Sequence, residues 1–344
     1  MTPIYNQLLI PFLTAMVVAI TMGGSGTAPA FSASYGANVM RKSLIPGLFG
    51  IMVFVGAFLA GKKTASTMGS GILPAEYMDF TVVSIALFSI AVTMLISNIS
   101  GIPQSTSQAA VLALAAPALY FNKLDTHNLF VEIIPAWFIL PIISYFLSFF
   151  AGKYIYQPMR RRGLTIQRAQ NENKRHIWDI VLVIMALYVS FAIGSNNVAN
   201  AAGPLYTMTI NELHIRESDH IVILMLATLV VAPCFGIGAS LFGHKILKNT
   251  GKEIILFGKF EAVIIAFISG SLLLLASVVK GIPTSLVQVN VAAILGIGVA
   301  KMGHKNIFSK TQVKRFFTMW MIAPVISFLL SLLLIFLADK ANLL

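Results

Sequence analysis

The stretch AIGSNNVANAAGPL, residues 192–205, sets three asparagines inside a run of 32 residues, 180–211, that contains no charged side chain. About 20 apolar residues cross the hydrocarbon core of a bilayer as a helix, so a charge-free run of this size reads as membrane interior. Uncharged runs recur along the whole chain, over residues 1–40, 43–61, 80–122, 133–152, 221–243, 262–279, 281–300 and 316–338. The 344 residues are 57% hydrophobic and 10% charged, whereas charged residues make up roughly a quarter of a soluble domain. The chain therefore reads as an all-α integral membrane protein with about ten apolar helical segments.

Cys234 is the single cysteine, which excludes a disulfide framework and a cysteine-built metal site. The net charge of +12 would suggest a nucleic-acid partner in a soluble protein. Here the basic residues lie between the apolar runs, the pattern of cytoplasmic loops, so the expected surroundings are the lipid bilayer of the cell membrane and no nucleic acid. Residues 1–40 carry no basic leader, and the first segment is expected to be retained. The sequence contains no His-Glu-x-x-His, no Gly-x-Ser-x-Gly and no nucleotide-binding loop. No catalytic role, metal or cofactor is expected.

The interval 156–176 holds Arg160, Arg161, Arg162, Arg168, Lys174 and Arg175, and it divides the chain at its middle. The flanking halves, 1–155 and 177–344, repeat one another weakly. GAFLAGKK at 56–63 resembles GASLFGHK at 238–245, SGIPQSTSQ at 100–108 resembles KGIPTSLVQ at 280–288, and GGSGTAPA at 23–30 lies opposite GSNNVANA at 194–201. Five apolar segments in each half is an odd number, so the copies are expected to insert in opposite senses as inverted repeats. Threading from an outside N-terminus puts 18 of the 24 Lys and Arg on the cytoplasmic side and leaves Lys62, Lys63, Lys123, Arg216, Lys280 and Lys340 outside. Charge fits equally well whether the third and fourth segments of each half span the membrane or form a re-entrant hairpin.

Four polar islands interrupt the apolar runs: Gly23 to Pro29, Gly194 to Pro204, and the breaks at Pro103 and Pro283. Backbone that leaves the helix at membrane depth must be buried in protein or line a watery cavity. Matched breaks in two halves point to the substrate site of an inverted-repeat transporter. The side chains there are Ser25, Thr27, Gln104, Ser105, Thr106, Ser107, Gln108, Asn196, Asn197, Asn200, Thr284, Ser285, Gln288 and Asn290. All are hydroxyls and amides. Serine and threonine just after a proline start a helix, and a helix start carries unpaired N–H groups at a positive dipole end. Several such ends meeting would hold a small inorganic oxyanion without a buried cation.

These residues resemble the inorganic phosphate transporter family, whose twice-occurring Gly-Ala-Asn-Asp-Val-Ala-Asn-Ala is matched strongly by GSNNVANA and poorly by GGSGTAPA, and whose Pro-x-Ser-Thr-Thr-His is matched by PQSTSQ and more loosely by PTSLVQ. The resemblance covers nearly the whole chain. It implies a secondary transporter of inverted repeats with broken helices, a homodimer, and a substrate site at Ser25, Gly26, Thr27, Ser105 to Gln108, Asn196, Asn197, Asn200, Thr284, Ser285 and Gln288. The family's aspartate is replaced by Gly26 and Asn197, and its histidine by Gln108 and Gln288. The carboxylates associated with sodium are gone, which favours a proton over sodium as the coupling ion. Phosphate still carries a proton near neutral pH and needs an acceptor, whereas sulfate takes donors only. The expected substrate is sulfate, in keeping with the family's sulfate permease branch, with phosphate as the alternative. Asp79, Glu132, Asp179 and Glu261, at the ends of apolar segments, are the candidate proton carriers or else interfacial caps.

Overall fold

A computed structural model describes residues 4–100, 104–161, 172–244 and 258–344. The break at Gly101, Ile102 and Pro103, the linker residues Arg162 and Arg168, and Lys245, Lys248 and Lys252 lie outside the described residues. No strand occurs among those described. In order the helices are α1 (Ile4–Gly36), α2 (Ile45–Ala60), α3 (Lys62–Ser70), α4 (Phe80–Ser100), α5 (Thr106–Tyr120), α6 (Ile134–Phe150), α7 (Gln157–Arg161), α8 (Glu172–Asn197), α9 (Ala199–Leu213), α10 (His220–Leu241), α11 (Lys259–Leu275), α12 (Leu286–Met302), α13 (His304–Phe308) and α14 (Thr311–Lys340). Wider π-helical turns at Asn128–Ile133 and Ala151–Tyr156 prolong α6 at both ends and join it to α7, and another at Ala276–Lys280 prolongs α11.

Eight of these helical stretches are long and apolar enough to cross a membrane, and the shorter apolar helices α5 and α12 bring the number to ten among the described residues. Lipid offers no partner for N–H or C=O groups, so the apolar runs close their hydrogen bonds within each helix. The outer helices turn Leu, Phe and Met outward, as at Leu59, Phe138 and Met321. In contrast, α5 and α12 are buried along nearly their whole length. The many alanines of α5 let neighbouring backbones come close.

Packing is reciprocal between the halves. α6 lies along α12 while α14 lies along α5, and α1 crosses α10 while α8 crosses α2. The hydroxyl of Ser144 on α6 donates to the carbonyl of Val289 (2.8 Å). Those of Ser327 and Ser331 on α14 donate to Ala109 (2.9 Å) and Ala113 (2.7 Å).

The repeated glycines make the crossings possible. A Cβ on Gly23 would lie 2.2 Å from the carbonyl oxygen of Phe235, one on Gly238 1.8 Å from that of Ile20, one on Gly56 2.0 Å from that of Phe191 and one on Gly194 2.0 Å from that of Val53. Gly238→Ala must therefore push α1 and α10 apart. It is expected to lower stability by about 1 to 3 kcal/mol, read as a fall in melting temperature in detergent. Gly47→Ala, with nothing within 4 Å of the new methyl, should leave the melt in place.

Two of the four islands differ from the sequence reading. α1 runs unbroken through Gly23, Gly26 and Pro29. The Asn196 to Asn200 segment departs from regular helix only at Val198, whose φ −61° and ψ −34° are still helical. Glycine and proline in these runs serve close packing and are accommodated by neighbouring helices instead of unwinding the backbone. The extended segments are those around Gln104–Ser105 and 281–285. Gly281 is held at φ +67°, where a Cβ would meet the backbone of Lys63 at 2.8 Å. Trp137 is buried, and its indole N–H donates to the carbonyl of Pro283 (3.0 Å).

Candidate substrate site

The two extended segments end in the same way. Ser105 caps α5 and accepts the N–H of Gln108; Ser285 caps α12 and accepts the N–H of Gln288, each at 3.3 Å. Such caps satisfy one first-turn donor and leave others facing outward. The two helix starts face each other, because the amides of Gln108 and Gln288 bond reciprocally: Gln108 Nε2 donates to Gln288 Oε1 (3.1 Å), and Gln288 Nε2 donates to Gln108 Oε1 (2.9 Å).

The α8–α9 junction is the third wall. Asn196 Nδ2 donates to Ser277 Oγ (2.8 Å) and to the carbonyl of Ile282 (2.9 Å). Its Oδ1 accepts the N–H of Thr284 (3.1 Å) and, more weakly, the hydroxyl of Ser107 (3.4 Å). Asn197 Nδ2 donates to Thr106 Oγ1 (3.0 Å), and Asn200 Nδ2 donates to Ser107 Oγ (3.1 Å). Ten of the anticipated residues thus gather in a buried network of three adjoining hydrogen-bonded groups: Ser105, Gln108, Ser285 and Gln288; Ser107, Asn196, Asn200 and Thr284; and Thr106 with Asn197.

The network carries spare polar atoms. Asn197 Oδ1, Asn200 Oδ1, Thr284 Oγ1 and Gln104 Nε2 are buried without a protein partner, and leaving such a group unmatched costs about 1 to 3 kcal/mol. A threonine or serine hydroxyl accepts and donates equally well. Asn197 can turn its amide over, accept the hydroxyl of Thr106 and present N–H donors instead; Asn200 can do the same once the Ser107 hydroxyl gives up its weak bond to Asn196. No Asp, Glu, His, Lys or Arg belongs to the network.

The first-half island stands apart. Ser25 donates to Asn98 Oδ1 (2.7 Å), and Asn98 Nδ2 in turn donates to the carbonyl of Thr21 (2.7 Å). Thr27 bonds back to the carbonyl of Gly23 within its own helix (2.7 Å). Gly26 faces the ring of Phe49 and the side chain of Ile193. Asn98 and Ser277 are polar residues the sequence reading passed over. They exchange places across the halves, Ser25 with Asn98 in one and Asn196 with Ser277 in the other.

The four acids at segment ends are all engaged. Asp79 accepts the N–H of Val82 at the start of α4 (2.8 Å). Burial holds its carboxyl above the usual range, with the Glu212 carboxylate adding to the rise and backbone N–H bonds opposing it. Glu132 pairs with Lys280 (3.6 Å), Asp179 with Lys259, and Glu261 with Lys301 (2.6 Å). Among the described residues, no three His, Cys, Asp or Glu come together as a metal site. Lys63 of the repeated Gly-Lys element donates to the carbonyl of Val279 (3.2 Å) and so steadies the α11–α12 turn.

Ten apolar helices around a buried knot of neutral donors and acceptors define a membrane transport protein. The sequence matches the phosphate transporter family over residues 22–331, and the chain belongs to that family. It is 31% identical over 337 residues to the sulfate permease CysP of Bacillus subtilis (strain 168), an alignment that covers 97% of this chain and 89% of that protein. It is 25% identical to a putative phosphate permease of Methanocaldococcus jannaschii, with 95% of each covered. A putative phosphate permease of Pyrococcus abyssi is 23% identical, with 94% of this chain and 96% of that one covered. In fold it resembles a solved structure described as the sodium-dependent phosphate transporter, with a TM-score of 0.81 at 19% identity over 97% of this chain and 99% of that one.

Proposed function

We propose that the protein imports sulfate across the cell membrane, with the anion held between the starts of α5 and α12 and the α8–α9 asparagines. The observation that carries this reading is the absence of any ionisable group from the network joining Ser105–Gln108, Asn196–Asn200 and Thr284–Gln288. Sulfate is fully deprotonated and wants donors, and two helix starts with hydroxyls and amides supply them. The similarity to a sulfate permease along nearly the whole chain favours the same substrate. The coupling ion is a proton, because the network lacks the carboxylates that sodium prefers. Residues 1–155 and 177–344 act as two inverted repeats that rock about this site, with the basic linker 156–176 on the cytoplasmic side. The reciprocal packing of α6 on α12 and α14 on α5 supports that division. The protein works as a homodimer.

Phosphate is the second reading. The unpartnered oxygens of Asn197 and Asn200 could accept the proton of hydrogen phosphate, and other relatives are described as putative phosphate permeases. Purified protein in proteoliposomes decides between the two. Sulfate uptake driven by an inward acid gradient, indifferent to sodium and weakly inhibited by phosphate, is the expected result. Sodium-dependent uptake of phosphate in its place would overturn the assignment.

A further inference from the structure

We infer that Gln104 is a further substrate-contacting residue, one that fits the pocket to an oxyanion with or without a proton, and that Ser97 positions it; the inference rests on the sulfate reading above. Gln104 immediately precedes the Ser105 cap of α5, as Thr284 precedes the Ser285 cap of α12. The two hold the same place in SGIPQSTSQ and KGIPTSLVQ. Both are buried, and each keeps a polar atom without a protein partner, Gln104 Nε2 and Thr284 Oγ1. Buried polar atoms are nearly always satisfied. Here two are not, on the last residue before each of two helix starts that face each other through Gln108 and Gln288. Matched vacancies of this kind point to a ligand rich in oxygen. Thr284 belongs to the proposed anion site already, and Gln104 is its match at the other helix start.

The two turns are fixed in different ways. In the second half, Asn196 Nδ2 donates to Ser277 Oγ and to the carbonyl of Ile282, while its Oδ1 accepts the N–H of Thr284. Ser277 passes its own hydrogen to the carbonyl of Leu273 (3.0 Å). Each bond in that chain has a set direction, so the Asn196 amide is locked. In the first half the place of Asn196 is taken by Ser25, which donates to Asn98 instead. Ser97, three residues before SGIPQSTSQ as Ser277 is before KGIPTSLVQ, meets Gln104. Its hydroxyl oxygen lies 2.7 Å from Gln104 Oε1 and 3.1 Å from the carbonyl of Thr93. A hydroxyl has one hydrogen to give and two lone pairs to offer.

Two arrangements follow. With the Ser97 hydrogen on Gln104 Oε1, the amide nitrogen presents two N–H donors, which suits sulfate. With that hydrogen on the Thr93 carbonyl, the Gln104 amide turns over and its nitrogen donates to Ser97 Oγ, as Asn196 does to Ser277. Oε1 then stands free as an acceptor for a protonated oxyanion. The Thr93 carbonyl lies within α4 and keeps its helical bond in both. Gln104 is thus an adjustable member beside a locked one, and the pocket it completes binds sulfate yet admits hydrogen phosphate as a weaker competitor.

The test is sulfate uptake by the full-length protein in proteoliposomes, with phosphate as competitor and a melting curve for each variant. Gln104→Met keeps the length of the side chain and removes both polar atoms, while Ser97 retains the Thr93 carbonyl. The KM for sulfate should rise about tenfold, the worth of one net hydrogen bond, and phosphate inhibition should weaken with it. Gln104→Glu, when ionised, offers acceptors only. It should raise the sulfate KM at least as much and strengthen phosphate inhibition. Ser97→Ala leaves the glutamine unheld, so the sulfate KM should rise severalfold at the parental maximal rate, and Ser97→Thr, which restores the hydroxyl, should bring it back. A merely structural role would lower the melting temperature and leave KM in place. Parental KM and parental phosphate inhibition in both glutamine variants, or a parental KM in Ser97→Ala should those variants not fold, would overturn the inference while leaving sulfate import standing. A parent protein that takes up no sulfate would overturn the sulfate reading and this inference together.

Discussion

Asn197→Asp is expected to cut sulfate transport by about 100-fold or more, which corresponds to roughly 2.7 kcal/mol. The side chain stands in the buried network with its amide nitrogen 3.0 Å from Thr106 Oγ1 and its oxygen without a partner. A unit charge about 4 Å from another costs about 4 kcal/mol at an effective dielectric of 20, and sulfate carries two. The carboxyl relieves part of that repulsion by taking up a proton, which is why the expected loss is smaller than the Coulomb figure. A protonated carboxyl still cannot present the N–H donors that a turned amide can. Hydrogen phosphate has a proton to give such a carboxylate, so inhibition by phosphate should grow as sulfate uptake falls. Uptake kinetics in proteoliposomes with both anions check this, and unchanged sulfate uptake would leave the proposed role of Asn197 without support.

Asn196→Leu should abolish transport and destabilise the protein. Asn196 satisfies the hydroxyl of Ser277, the carbonyl of Ile282 and the N–H of Thr284, which belong to three successive parts of the α11–α12 turn. Leucine fills similar space and leaves the carbonyl of Ile282 and the N–H of Thr284 without these partners, while the Ser277 hydroxyl keeps its bond to the carbonyl of Leu273. At about 1 to 3 kcal/mol for each of the two, the total is about 2 kcal/mol or more, and the start of α12 is released from α8. A melting curve that shifts down together with complete loss of uptake is expected. Asn200→Leu, which takes one bond from Ser107 and leaves its weak bond to Asn196, should give a smaller shift.

Much of the fold could be read from the runs without charge, because a lipid-facing backbone has few alternatives to helix. The run 80–122 does contain α4 and α5, and the start of α5 falls where proline, serine and threonine place it. The matched serines and glutamines of the two breaks also turned out to occupy matching positions. The glycines misled. Gly23 and Gly194 read as breaks, yet each lies against a carbonyl of a crossing helix, and sequence alone does not distinguish a glycine that bends from one that packs. Partners far along the chain were equally hidden. Trp137 bonds Pro283, Asn98 holds Ser25, and Glu132, Asp179 and Glu261 each found a lysine on another stretch. One signal was available and unused: Ser144 with Ser148, and Ser327 with Ser331, recur at a spacing of four in equivalent helices of the two halves, and three of the four lie at or near the reciprocal bonds to α12 and α5.

The doubly bonded glutamines bear on the direction of traffic. Each of Gln108 and Gln288 gives one bond and receives one, at nearly equal lengths, so separating them costs the same whichever half moves first. A latch of this kind has no preferred sense and cannot act as a valve. Net flow then follows the gradients across the membrane, and vesicles loaded with sulfate should empty through the protein as readily as empty ones fill when the driving gradient is reversed.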